Sequence, residues 1–105
     1  MIARIWVGVT PEAKADAYLD YLKQTGLSDY ASVPGHRGTE VLRRIANDEA
    51  TFMIVTHWDS MDAIRDFAGD DPEVARYYPE DDDFLLFRNP TVEHHDVIWT
   101  DKDSH

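Results

Sequence analysis

The 105-residue chain predicts an α+β domain of the ferredoxin-like class, a split βαβ arrangement in the order β-α-β-β-α-β. Three observations carry this prediction. Thr51 to Trp58 is apolar, β-branched or aromatic almost throughout, and it runs through Asp59-Ser60 into an amphipathic segment, so a strand is delivered into a capped helix. A second apolar strand, Ile2 to Val9, leads into Thr10-Pro11-Glu12, the cap, proline and acid that open a helix. Ala46-Asn47-Asp48-Glu49 has the length and polarity of a hairpin link between two further strand-like runs.

In the first strand Ile2, Arg4, Trp6 and Gly8 share one face, and Ala3, Ile5, Val7 and Val9 share the other; Arg4 alone interrupts the apolar run. Ala15, Tyr18, Leu19 and Leu22 then form a helical stripe that Gly26 ends. Leu27 to Gly38 reads as a connection, with Val33-Pro34-Gly35 as its turn. The second strand, Thr39 to Ile45, sets Val41 and Ile45 with Thr39 and Arg43, and Leu42 with Glu40 and Arg44, a mixed pattern that suits an edge. After the third strand either Asp59 or Ser60 can cap the helix; with Asp59 as the cap, Asp62 falls near the positive helix end. Ala63, Ile64, Phe67 and Ala68 repeat at helical spacing, and Gly69 stops the run.

Asp71-Pro72-Glu73 repeats the cap, proline and acid, predicting a short helix from Pro72 to Tyr78. Glu80 to Asp83 reads as a solvated acidic loop, and Phe84 to Phe87 as an apolar patch in need of cover. Thr91 to Trp99 is the last strand, with Val92, His94, Asp96 and Ile98 facing one way and Glu93, His95, Val97 and Trp99 the other. One domain therefore covers residues 1–100, and residues 101–105 form a frayed tail. Two right-handed crossovers place both helices on one sheet face. The first and third strands are apolar on both faces, so a second copy of the chain is predicted to cover the other face as a homodimer.

The charge balance, 21 acidic against 10 basic residues for a net −11, disfavours nucleic acid and anionic membrane surfaces as partners. The chain contains no cysteine, which removes disulfides, thiolate metal sites and a thiol nucleophile and agrees with a reducing cytoplasm, the expected location. No apolar run reaches the ~18 residues of a membrane span, and the N-terminal IARIWVGV is too short for a signal peptide. No metal site is expected: His94 and His95 are adjacent on a strand and face opposite sides, and the acidic run lacks the spacing and central glycine of a calcium loop. Gly35-His36-Arg37-Gly38 is not a phosphate loop.

Chemistry points to the ends of strands. His57 and Trp58 close the third strand where a helix leaves, and an imidazole neutral near pH 7 suits proton abstraction. His94 shares a face with Asp96, whose carboxylate is expected to influence its charge state. His57 and His94 are the candidate bases. Trp58, Tyr77 and Tyr78 are candidate pocket walls, and Arg65 a candidate for anion stabilisation.

The element order, WDSMDAIRDFAG at residues 58–69 and the later YYPEDDDFLL and PTVEHHDV segments resemble the antibiotic biosynthesis monooxygenase family, from about Ile2 to Val97. The resemblance implies a dimeric α+β barrel. It also implies activities within a range: cofactor-free oxygenases that turn aromatic polyketide phenols into quinones, heme-degrading enzymes, and many members with no known activity; a non-catalytic small-molecule-binding or interaction module of the same fold is the alternative. The heme branch resembles a pattern with Asn on strand one, Trp late in the second helix and a His ligand about ten residues on. Here strand one carries Trp6, the helix carries Phe67, and the ligand region reads Arg76-Tyr77-Tyr78, though tyrosinate can ligate heme iron. The expected reading is therefore a cofactor-free oxygenase for a small aromatic phenol or quinol. His94 or His57 would be its base, with Trp58, Tyr77, Tyr78, Phe67, Arg65 and Trp6 around the substrate.

Overall fold

The computed structural model describes residues 1–75 and 80–101. Strand β1 (Ile2–Pro11) is followed by a 3₁₀ turn at Glu12–Lys14, helix α1 (Ala15–Gln24) and helix α2 (Gly26–Ala31). Strands β2 (His36–Ala46) and β3 (Glu49–Trp58) form a hairpin; helices α3 (Met61–Ala68) and α4 (Asp81–Phe84) and strands β4 (Phe87–Arg88) and β5 (Glu93–Asp96) complete the chain. The antiparallel sheet has the order β2-β3-β1-β4, and β5 also pairs with β1, so β1 and β3 are central. This is the α+β, ferredoxin-like order, with the last strand broken in two.

Local chemistry explains the main elements. The β2–β3 turn places Asn47 and Asp48 at φ 55° and 64°, the left-handed pair that a tight hairpin requires and that Asn and Asp tolerate. Ser60, rather than Asp59, caps α3: its Oγ accepts from the backbone N–H of Ala63 at 3.2 Å. Asp59 is turned toward β2 instead, where its two carboxylate oxygens accept from Arg37 at 2.6 and 2.9 Å. That charge-assisted pair holds the Asp59 carboxyl below its usual range.

Other expectations are corrected. Gly26 does not end the helical stretch but begins α2, because the 27–38 connection has enough apolar side chains (Leu27, Tyr30, Val33) to pack on the core. Residues 72–75 are not helical: Val74 bridges to Thr91, and Val92 N–H donates to Glu73 O at 2.8 Å, so this segment joins the sheet edge. The rest of the predicted 72–78 helix lies outside the described residues. The acidic loop is a helical turn whose Asp81 is buried. The last strand is regular only over Glu93–Asp96; after Val97, Ile98 and Trp99 stand exposed.

The register defines two faces. Ile2, Arg4, Trp6, Gly8 and Thr10 pair with Trp58, Thr56, Ile54, Phe52 and Ala50, and this face carries the helices and the core. One cluster packs Tyr18 and Leu22 on Phe52 and Ile54; the other packs Ile64 and Phe67 on Trp58, with Tyr30 touching both. The opposite face carries Ala3, Ile5, Val7 and Val9 beside His57, Val55, Met53 and Thr51. Leu42 (50% exposed) and Phe87 (54% exposed) extend it on the flanking strands.

Candidate functional site

The helix-covered face holds the site. Trp6 lies over Gly8, which has no room for a Cβ beneath the indole, and its Nε1–H donates to Asn89 O at 3.1 Å. With Arg4, Tyr18, Leu22, Leu27, Tyr30, Ile54, Asp81 and Val92 it encloses a cavity of about 30 Å³. That is room for one water rather than an aromatic ring.

Arg4 is the feature the sequence analysis did not select. It is 4% exposed, its Nη2 donates to Pro72 O at 3.3 Å and Val74 O at 3.4 Å, and its guanidinium lies 5.8 Å from the Phe67 ring centroid. The signal was present, as the one charge in an apolar strand. In register with Arg4 across β1 and β5 stands His94. Its Nε2 is sealed from solvent and has no hydrogen-bond partner among the described residues. Burial, then the Arg4 charge, push its pKa below the ordinary histidine value, while Glu73 opposes them, so His94 is held neutral. The carboxylate expected to influence it was Asp96; it is instead Glu73, on the segment that Arg4 ties down.

Asp81 has a second consequence. Burial, then the nearby Asp81 charge, raise the pKa of Tyr18 on the cavity wall, so this phenol stays protonated. His36, half-buried and stacked on Tyr30, is pushed below the ordinary value chiefly by burial, and its Nε2 meets Thr39 Oγ1 at 2.8 Å.

The candidates named from sequence divide. His94 and Trp6 lie on the helix-covered face beside Arg4. Phe67 is on the same face, floored by Tyr30 and Trp58, and borders a wide surface groove with Val74 and Ala75. Trp58 does not line the cavity: it is fully buried, and its Nε1–H is spent on Thr56 Oγ1 at 2.8 Å. His57 cannot act with His94, because strand alternation puts it on the opposite face, 3.5 Å from Glu40 Oε1. Arg65 points to solvent and pairs with Asp62 at 3.1 Å. Tyr77 and Tyr78 lie outside the described residues.

The frame is an α+β, ferredoxin-like sheet with a buried Arg4 in register with His94 on its helix-covered face. The chain belongs to the antibiotic biosynthesis monooxygenase family, whose model matches residues 1–75. A search of curated proteins found none that matches. Among solved structures, an antibiotic biosynthesis monooxygenase-type protein from Bacillus cereus is similar over 97% of both chains, with a TM-score of 0.68 at 11% identity. The heme-degrader MhuD from Mycobacterium tuberculosis, solved with two hemes in its active site, is similar over 95% of this chain and 98% of its own, with a TM-score of 0.64 at 19% identity. A variant of MhuD with two manganese protoporphyrin IX groups per active site gives 0.62 at 20% identity, over 98% of this chain and 100% of its own. These likenesses establish the fold. No helix among the described residues is long and apolar enough to cross a membrane.

The enclosed cavity, about 30 Å³, is too small for a heme, whereas the open groove bordered by Phe67, Val74 and Ala75 is about 530 Å³. The late position on α3 is Phe67, locked between aromatic rings. Of the histidines on this face, His36 is engaged by Thr39 and His94 is sealed.

Proposed function

We propose that the chain is a cofactor-independent, monooxygenase-like protein for a small aromatic phenol or quinol, working on the helix-covered face. The observation that carries this reading is the buried Arg4 beside His94, whose Nε2 has no hydrogen-bond partner among the described residues and whose pKa is pushed down by burial. His94 accepts the phenolic proton at Nε2, and Arg4 favours the phenolate by its charge. The electron-rich phenolate itself reduces dioxygen. For an anthrone-type substrate the ring CH₂ and O₂ become C=O and H₂O, one oxygen atom entering the product and the other leaving as water. Family membership supports the same class. The test is oxygen uptake with a panel of hydroquinones and anthrones. Uptake that His94→Ala reduces by roughly the 10²–10⁴-fold of a lost general base supports the reading, and no uptake with any of them sinks it.

The small cavity favours a second reading, a binding module without catalysis, because a ring can enter only by displacing side chains. Ligands that raise the melting temperature yet are recovered unchanged from air would decide for it. A heme-dependent reading draws support from the likeness to MhuD; a sharp one-to-one Soret shift on hemin titration would restore it despite the poor fit. In each reading the chain is a homodimer through its open sheet face, supported by the uncovered Leu42, Met53 and Phe87, and sedimentation as a monomer at micromolar concentration would refute that part.

A further inference from the structure

The proposed reaction has two reactants, and the helix-covered face offers two compartments of very different size. The cavity, about 30 Å³, cannot take a ring. A single water-sized sphere needs roughly 10–15 Å³, so this space suits a molecule of two atoms. The open groove bordered by Phe67 and Val74, about 530 Å³, has room for a ring. Arg4 stands between the two. It lines the cavity, its Nη2 donates to Val74 O at 3.4 Å, and its guanidinium lies 5.8 Å from the Phe67 ring centroid.

The cavity wall is mostly apolar. Trp6, Leu22, Leu27, Tyr30, Ile54 and Val92 form most of it, and Gly26 adds no side chain. Small apolar cavities stay dry and take up nonpolar guests such as xenon. Dioxygen is a guest of that kind: neutral, nonpolar and diatomic. The rest of the wall is Arg4, Tyr18 and Asp81. Arg4 is 4% exposed, and a fixed positive charge shielded from water favours a superoxide anion over neutral dioxygen. Burial, then the Asp81 charge, keep Tyr18 protonated, so it brings an O–H group to the wall rather than a second anion. The Asp81 carboxylate itself opposes an anion, and the Arg4 charge offsets it.

We propose that this cavity is a dioxygen site, with the phenol or quinol ring lying in the groove and Arg4 as the wall common to both. The proposal rests on the oxygenase reading and gives each of its reactants a place. After His94 has taken the phenolic proton, the substrate anion gives one electron to dioxygen, leaving a substrate radical and superoxide. The two combine in a carbon–oxygen bond, and the proton held by His94 completes a hydroperoxide. Loss of water breaks the O–O bond and the remaining C–H bond and leaves C=O. Arg4 faces the substrate anion before the electron moves and superoxide afterwards, so one charge serves both sides of the step.

The test uses the full chain with ¹³C-labelled methyl groups, under several atmospheres of oxygen and then of nitrogen. Dissolved oxygen is paramagnetic and speeds the relaxation of methyl groups close to it. The Leu22, Leu27 and Ile54 methyls should gain severalfold more relaxation than those of Ile64, which is fully buried in the other core cluster. Val92→Ile adds a carbon to the wall and should remove most of that excess. Should this variant misfold, Gly26→Ala gives the same readout, because Gly26 lies in α2 outside the left-handed region and alanine is compatible there. No excess over Ile64, as when water holds the cavity, overturns the proposal, and so does an excess that neither variant alters. Turnover reads the site separately: with any phenol of the panel that is oxidised, Val92→Ile should raise the KM for oxygen severalfold and leave that for the phenol nearly unchanged. If no phenol is oxidised, the oxygenase reading fails, while methyl relaxation still decides whether the cavity takes up dioxygen.

Discussion

The two faces of the sheet are built from the same strands and differ in what alternation assigns to them. On the helix-covered face a charge, an indole and an imidazole (Arg4, Trp6 and His94) sit among packed aromatics, and each is fixed by bonds or burial. On the open face, of the neighbours one residue along, Ile5 is only partly covered by its own chain and His95 stands exposed. Buried polar groups are costly unless arranged, so their presence on the covered face is the informative anomaly. Apolar groups without cover are the anomaly on the other face.

The sharpest way to break this comparison is a matched pair of truncations on adjacent residues of β3. Phe52→Ala removes a ring that Tyr18 meets edge-on at 5.0 Å and should cost about 3–5 kcal/mol of unfolding free energy. Met53→Ala, on the open face and 37% exposed, should cost the monomer less than about 1 kcal/mol and act on association instead. Urea unfolding and sedimentation of both variants check this; equal losses in folding stability would mean that the faces are not distinct.

Arg4→Ala comes next. It leaves the carbonyls of Pro72 and Val74 short of a charged donor and removes the guanidinium from Phe67, so a loss on the order of 3 kcal/mol is expected, with the 72–75 segment more open to protease. Ser60→Ala should cost about 1 kcal/mol by removing the α3 cap, whereas Asp59→Ala should leave that cap intact.

The smallest effect concerns pH. His94 and His36, both on the covered face, have pKa values depressed in the folded chain. The unfolded chain therefore binds more protons below its histidine pKa, and stability should be full above about pH 6.5 and fall as pH drops through the folded values. His94→Gln should flatten that decline in urea midpoints measured between pH 7.5 and 5.5. An unchanged slope would show that His94 does not carry the coupling.

The site was less legible than the fold for reasons visible in single residues. His57 and His94 look alike in sequence, each an imidazole on an apolar strand; only the register shows that they occupy opposite faces. Trp58 ends its strand, as a pocket wall would, but α3 folds back over it and Thr56 takes its N–H. Asp81 reads as one acid in a solvated run and is buried because α4 turns it inward toward Tyr18.

By itself the sequence determined the order of the first three strands and of the helices α1 and α3 between and after them, the α3 stop at Gly69, the hairpin link at residues 46–49 and the division of β1 into two faces. These depend on periods of 2 and 3.6 residues and on the backbone preferences of Gly, Pro, Ser and Asn, all of which are local. The tertiary structure alone decided which histidine stands beside Arg4, which carboxylate opposes it, and which acids are buried. Those outcomes depend on contacts between residues far apart in the chain, as in the bond from Arg4 to Val74, 70 positions away, and no local pattern encodes them.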